Sequence, residues 1–232
     1  MSKLPKNNTM SRKLSPGEED YYGRNLPHWQ PENSVLFMTV RLYGSLPRAK
    51  IEELKERKEA EKQLLREKGL SNEALVKALN ECFNLYFGKF DKLLDGSTTG
   101  PHWLKEDRIA KIWSNALFHF DGERYKVICS TIMSNHAHFI FYKLDRSLSK
   151  IMKTMKGFSA YEANRLLNRT GERFWQIESF DRMVRDRTEL KYRINYVLNN
   201  PVEVGVVSNW KDYKHNYIHP DFLKFVDETW IA

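Results

Sequence analysis

The sequence has 232 residues, of which 41% are hydrophobic and 13% aromatic, so the chain can bury a sizeable core in one elaborated domain. Its 38 Lys and Arg residues outnumber 30 Asp and Glu residues, and the formal charge of +8 favours a polyanionic partner such as nucleic acid. Only two cysteines occur, which excludes a disulfide framework, and no stretch approaches the roughly 20 apolar residues of a membrane span, so we expect a cytoplasmic protein with no membrane partner.

The first half of the chain combines a polar tail, one strand and a charged helical segment. Residues 1–30 are rich in Lys, Asn, Ser, Pro and Gly, which predicts a mostly flexible tail. An apolar, β-branched run at 34–42 predicts a central strand. Helical patterns at about 47–68 and 71–94 predict an antiparallel pair of helices, which forms an insertion at about 47–96.

The second half alternates strands and helices. Helical spacing at 104–118 precedes two predicted strands at 125–133 and 136–142. We then predict a helix at 147–168, a strand at 174–184 and a last helix, which Pro201 stops. Residues 211–232 are predicted to form an aromatic extension. This order predicts an α+β fold, a ferredoxin-like antiparallel sheet with helices on one face, in a single catalytic domain at 31–210.

Two histidines open the strand predicted at 136–142. Successive side chains of a strand point to opposite faces, so His136 and His138 share one face about 7 Å apart. Such a pair can bind one metal ion and leaves the site open for further ligands. Taken alone, the pattern is more typical of a structural, partly buried pair, so partners elsewhere in the chain decide between the two interpretations.

The last predicted helix offers two such partners. Tyr196 and Asn200 are spaced i and i+4, so they share a helix face about 6 Å apart. Tyr196 could act as a nucleophile while Asn200 supplies a carbonyl oxygen. Each also has an ordinary interpretation, because Tyr196 resembles a core tyrosine and Asn200 before Pro201 resembles a helix terminator.

Three motifs occur in order along the chain. They are His136-Ala137-His138 after Ile-Met-Ser-Asn, then Arg173-Phe-Trp-Gln176, then Tyr196-Val-Leu-Asn-Asn-Pro201-Val-Glu-Val-Gly205. Together they resemble the REP-associated tyrosine transposases of the single-tyrosine HUH superfamily, over about residues 31–215. The chain departs from that family at Ser134, where proline is usual, and in the length of the helical insertion.

The resemblance implies a role for each matching residue. His136 and His138 would bind a divalent ion with Asn200 as the third ligand, and Tyr196 would be the nucleophile. The implied ion is Mg²⁺ or Mn²⁺, and two imidazoles suit Mn²⁺ better. The implied activity is that of a transposase, a metal-dependent single-stranded DNA endonuclease and transesterase that forms a 5′-phosphotyrosine and a free 3′-hydroxyl. The implied partners are single-stranded DNA hairpins of palindromic repeats, bound by a monomer or a homodimer.

The helix predicted at 147–168 and the turn after it carry a row of basic residues that can follow a DNA backbone. They are Lys150, Lys153, Lys156, Arg165 and Arg169. A solvated helix face explains the same pattern equally well.

Two other functions remain open at this stage. One is a non-catalytic DNA-binding protein on the same fold, for which a degraded set of site residues would be expected. The other is a metal-dependent hydrolase in which water attacks and Tyr196 is only packed. Replacement of Tyr196 by phenylalanine separates these alternatives.

Overall fold

A five-stranded antiparallel sheet forms the centre of the protein. The computed structural model describes residues 34–143 and 147–230, so the predicted tail at 1–30 lies outside it. The strands are β1 (Val35–Arg41), β2 (Tyr125–Ile132), β3 (His136–Lys143), β4 (Phe180–Val184) and β5 (Tyr217–Ile218). They lie in the order β4-β1-β3-β2-β5, and each neighbouring pair is antiparallel.

Five α-helices in the described ranges accompany the sheet. They are α1 (Arg48–Glu67), α2 (Asn72–Asp95), α3 (Asp107–Phe118), α4 (Leu148–Leu166) and α5 (Arg187–Glu203). Polar side chains cap three of their N-termini: Ser71 accepts from Ala74 N, Ser147 from Lys150 N, and Asp186 from Glu189 N. No helix within these described residues is long and apolar enough to cross a membrane.

The alternation of side chains along the strands gives the sheet two apolar faces. Leu36, Met38, Phe139 and Phe141 pack with α3 and α4 in one cluster. Phe37, Ile128 and Ile140 pack with α2 and α5 in the other. The predicted α+β class with an antiparallel sheet is confirmed. Helices were predicted on one face of the sheet, whereas the structure has them on both: α3 and α4 pack on one face, and α2 and α5 pack on the other.

Helix α2 is fixed against the second face at several points. The Phe87 ring lies 5.3 Å from the Phe37 ring and 4.3 Å from the Phe180 ring, centroid to centroid. Near the end of α2, Asn135 Nδ2 donates a 2.9 Å hydrogen bond to the Leu94 carbonyl. These contacts place the C-terminal turns of α2 against the beginning of β3, while α1 packs along α2.

Three local predictions were wrong. Pro201 does not stop α5, which continues to Glu203, because a proline in the last turn removes only a single helical hydrogen bond. The strand predicted at 174–184 is shortened to β4, and Trp175 instead forms an isolated bridge with Leu42. Strand β5 lies in the aromatic extension at 211–232, where no strand was predicted.

Candidate active site

The two histidines lie side by side on the face of β3 that meets α2 and α5. Both are fully buried, and their Nε2 atoms are 3.0 Å apart. The alternation of the strand places them on one face, as the sequence predicts, and the rings then turn toward each other. Two nitrogen ligand atoms therefore converge on one point.

Neighbouring residues fix the orientation of the two rings. His136 Nδ1 lies 2.6 Å from Asn135 Oδ1, and the Asn135 amide nitrogen is already engaged with α2. Since Asn135 Oδ1 can only accept, His136 carries its proton on Nδ1 and presents the Nε2 lone pair. His138 Nδ1 lies 2.8 Å from Thr39 Oγ1, a hydroxyl that can either donate or accept. His138 can therefore also present a free Nε2 lone pair.

Two carboxylates of α2 complete the cluster. Asp91 and Asp95 are spaced i and i+4, so they lie on the same helix face. Asp91 Oδ1 is 3.3 Å from His138 Nε2, and Asp95 Oδ1 is 3.6 Å from His136 Nε2. The ligand atoms of Asp91, His136 and His138 all lie within 4.8 Å of one another. This buried Asp/His/His group could hold a metal ion.

Several oxygen atoms at the site have no hydrogen-bond partner in the part of the chain that the structure describes, which bears on whether a cation fits there. Within the described residues, both carboxylate oxygens of Asp91, Oδ1 of Asp95 and Oδ1 of Asn200 are buried without a hydrogen-bond partner. A buried carboxylate without a partner is costly unless it is paired, protonated or bound to a metal. Three carboxylate oxygens and one amide oxygen lie beside two imidazole nitrogens, and this donor set suits a divalent cation. The residues present therefore fit a divalent metal ion.

Burial also sets the protonation of the cluster. It raises the pKa of Asp95 to about 7, and the negative charge of Asp91 acts in the same direction. Burial lowers the pKa of His136 well below its usual range, and His138 contributes to that shift. His136 is therefore neutral at physiological pH, as a metal ligand must be.

Helix α5 brings the remaining two predicted site residues to the same face. The half-buried Tyr196 ring lies 5.6 Å from the His138 ring, centroid to centroid. Asn200 is fully buried, and its Nδ2 donates a 3.2 Å hydrogen bond to Asp95 Oδ2. The structure therefore places Tyr196 beside the histidine pair and Asn200 beside an acid that sequence reasoning missed.

The predicted basic residues on and after α4 lie elsewhere. Helix α4 packs on the opposite face of the sheet from the histidines. Lys150 and Lys153 are exposed there, whereas Lys156 donates to the carbonyls of Gln176 and Ile177. Arg165 pairs with Glu162, and Arg169 pairs with Glu172. These five residues are thus separated from Tyr196 by the sheet.

Comparison with known proteins finds a similarity of fold. No family model matches the chain, and no curated protein matches it. Among solved structures, the chain is similar to a REP-associated tyrosine transposase bound to a REP hairpin, with a TM-score of 0.54 and 13% sequence identity. The match covers 90% of this chain and 92% of that chain. The protein is therefore similar in fold to that transposase.

Proposed function

We propose that the protein is a metal-dependent transesterase that cleaves and rejoins single-stranded DNA through Tyr196. The observation that carries this proposal is the position of Tyr196 on α5, beside a buried cluster of Asp91, His136 and His138. A tyrosine next to a metal-binding cluster suits phosphoryl transfer, because nucleophile and phosphate can be held together. The fold shared with a transposase supports the same assignment.

The residues that would hold the metal are His136, His138, Asp91 and Asp95, with the amide oxygen of Asn200 nearby. A divalent ion bound there would polarise the scissile phosphate and stabilise negative charge on its oxygens. The carboxylates of α2 add hard oxygen ligands to the two imidazoles, so the set suits Mg²⁺ as well as Mn²⁺.

Tyr196 would attack phosphorus with its phenolic oxygen. A bond forms between that oxygen and phosphorus while the bond from phosphorus to the 3′ oxygen breaks. The products are a 5′-phosphotyrosine and a free 3′-hydroxyl. The proton that the phenol loses balances the proton that the leaving 3′ oxygen gains. Because the phosphodiester is replaced by another ester, a 3′-hydroxyl can later displace Tyr196 and rejoin the strand without ATP.

The site is closed in the structure described. His136, His138 and Asn200 have no exposed surface, and Asp91 is only 2% exposed. Helix α2 covers them. Tyr196, which lies beside them on α5, lines a cavity between α2, β4 and α5. A DNA phosphate would therefore enter from the Tyr196 side.

The substrate we propose is a single-stranded DNA hairpin formed by a palindromic repeat. The comparison protein was solved with a REP hairpin, and the basic charge of this chain suits a DNA partner. The mass of the protein in solution, measured with and without DNA, distinguishes a monomer from a homodimer.

A covalent trapping experiment tests this function. Labelled hairpin oligonucleotides, taken from palindromes that flank the gene, are incubated with protein and Mn²⁺, and adducts are resolved on a denaturing gel. We expect an adduct with wild type and none with Tyr196→Phe. Tyr161→Phe is the matched control, since Tyr161 is exposed on α4 across the sheet, and it should form the adduct normally.

The other outcomes of this experiment identify the competing functions. Cleavage that persists in Tyr196→Phe but is lost in His136→Ala would show that water attacks, which is a hydrolase. Tight hairpin binding by wild type with neither cleavage nor adduct would show a non-catalytic DNA-binding protein.

A further inference from the structure

A cavity of about 530 Å³ lies next to Tyr196, between α2, β4 and α5. Its lining includes Asn84 from α2, Arg182 from β4, and Arg193 and Tyr196 from α5. The volume falls within the range of sites that bind small organic molecules. None of its lining side chains belongs to the Asp/His/His cluster, so the cavity is a separate feature of the same sheet face.

Three arginines in this cavity share one carboxylate. Glu189 Oε1 lies 2.6 Å from Arg182 Nε and 3.9 Å from Arg193, and Glu189 Oε2 lies 3.6 Å from Arg185 Nε. The second acid of the lining, Asp186, caps the backbone N–H of Glu189 at the start of α5. One glutamate cannot satisfy three guanidinium groups, so the cavity keeps an excess of positive charge.

Arg193 is the one of these three arginines that is buried with a donor left unused by the described residues. It is only 4% exposed, its Nη2 donates to Asn84 Oδ1 at 3.1 Å, and its Nε has no hydrogen-bond partner within the described residues. Burial, with a further contribution from Arg182, lowers its pKa to about 10. A buried cation with an unused donor favours an anion that can accept from it.

An aromatic surface lies beside this cation. The guanidinium of Arg193 is 5.5 Å from the Tyr192 ring centroid, and Tyr192 is 49% exposed. The rings of Tyr192 and Tyr196 are nearly parallel, with 6.5 Å between centroids. An exposed ring next to a cationic donor is the combination with which proteins hold an unpaired base and its phosphate.

We propose that this cavity binds one nucleotide of the single-stranded DNA next to the scissile phosphate, with its phosphate on Arg185 and Arg193 and its base on Tyr192. The proposal rests on the proposed function and extends it, because it names the residues that position the strand at Tyr196. It also assigns DNA contacts to the face that carries the histidines, in place of the α4 surface on the other side of the sheet.

Binding of a fluorescein-labelled dT12 oligonucleotide, followed by anisotropy, tests the cavity. The measurement uses full-length protein carrying Tyr196→Phe, without divalent metal, so no covalent chemistry contributes. We expect Arg185→Gln to weaken binding about threefold or more and Arg193→Gln about tenfold or more, since charged phosphate contacts are lost. Arg185 is exposed, so its variant tests the proposal even if Arg193→Gln fails to fold.

Arg108→Gln is the matched control, because Arg108 is an exposed arginine on α3 that pairs with a single carboxylate. It removes the same charge on the other face of the sheet and should leave the affinity for dT12 within about twofold of the parent protein. We also expect dTMP to displace the labelled oligonucleotide, and thymidine, which lacks the phosphate, to fail. Equal affinity of Arg185→Gln and Arg108→Gln would overturn the proposal.

The two proposals fail separately. If wild type forms the Tyr196 adduct while Arg185→Gln binds dT12 normally, the cavity assignment is wrong and the transesterase stands. If Arg185→Gln loses affinity while no adduct forms with wild type, the cavity binds nucleotides and the proposed chemistry is wrong.

Discussion

Asn200 donates a 3.2 Å hydrogen bond from Nδ2 to Asp95 Oδ2, which joins α5 to α2 beside the histidine pair. The amide that was predicted to be a metal ligand is thereby held by an acid from α2. Its own oxygen stays buried without a hydrogen-bond partner among the described residues. Helix α2 therefore contributes directly to the candidate site, because both Asp91 and Asp95 come from it.

Metal binding should stabilise the protein through Asp91. A divalent ion at about 100 times its dissociation constant adds about 2.7 kcal/mol to the free energy of unfolding. For a protein of this size that raises Tm by about 5–10 °C. Differential scanning fluorimetry with Mn²⁺ or Mg²⁺ against EDTA measures the shift, and we expect Asp91→Ala to lose most of it.

A control separates ligation from general charge loss. Asp107→Ala removes an acid that is exposed on α3, paired with Lys214, and should retain the full metal-dependent shift. An equal shift in Asp91→Ala and wild type would show that α2 does not contribute a ligand.

Metal binding should also release a proton below neutral pH. The pKa of Asp95 is raised to about 7 by burial and by Asp91, while His138, Asn200 and Glu203 also act on it. A carboxyl group must lose its proton to bind a cation, so binding at about pH 6 should release up to about one proton from Asp95. At about pH 8 that acid is already ionised, and its contribution should vanish.

Calorimetry measures this release. Metal is titrated into protein in two buffers of different ionisation enthalpy, and the difference in heat gives the number of protons. Asp95→Asn should remove the release at about pH 6, since the amide has no proton to lose. Undiminished release in this variant would assign the proton to another group of the cluster.

Local spacing predicted part of the site, and long-range packing supplied the rest. His136 and His138 follow from the period of a strand, and Tyr196 and Asn200 follow from the period of a helix. Asp91 was not predicted, although the sequence carries a signal for it. Asp91 shares a helix face with Phe87, so a charged residue interrupts an apolar stripe. Nothing in that pattern states which element the stripe meets, because α2 and β3 are distant in sequence.

The fold shows the same division. Strands β1 and β3 follow from apolar runs, and helix α4 follows from the helical spacing of its apolar residues. Strand β5 is only two residues long and is defined by its pairing with Cys129 and Ser130, so no local sequence pattern predicts it. The basic residues on and after α4 were predicted from the pattern of one helix, and such a pattern does not record the face of the sheet on which the helix packs.

The turn that leads out of α2 should be sensitive to a single methyl group. Gly100 has φ +85°, and a Cβ at this position would lie 2.3 Å from the Gly44 carbonyl oxygen. We expect Gly100→Ala to cost about 3 kcal/mol or more, from the strained backbone and the clash together. Gly122→Ala is the matched control, with φ +82° and open space around the added atom, and should cost about 1 kcal/mol. Urea unfolding of both variants measures the difference, and equal losses would contradict the close approach.

Asn135 should control the affinity for metal without touching the ion. Its Oδ1 accepts from His136 Nδ1, and its Nδ2 donates to the Leu94 carbonyl at the end of α2. Loss of such a supporting hydrogen bond typically weakens metal affinity about 10- to 100-fold, which is the effect we expect for Asn135→Ala in a competition assay with a fluorescent chelator. Asn135→Asp keeps the acceptor for His136 and loses the donor to Leu94, so it should retain most of the metal affinity. If the aspartate variant binds metal as weakly as the alanine variant, the contribution of Asn135 lies in anchoring α2, and the orientation of His136 does not depend on it.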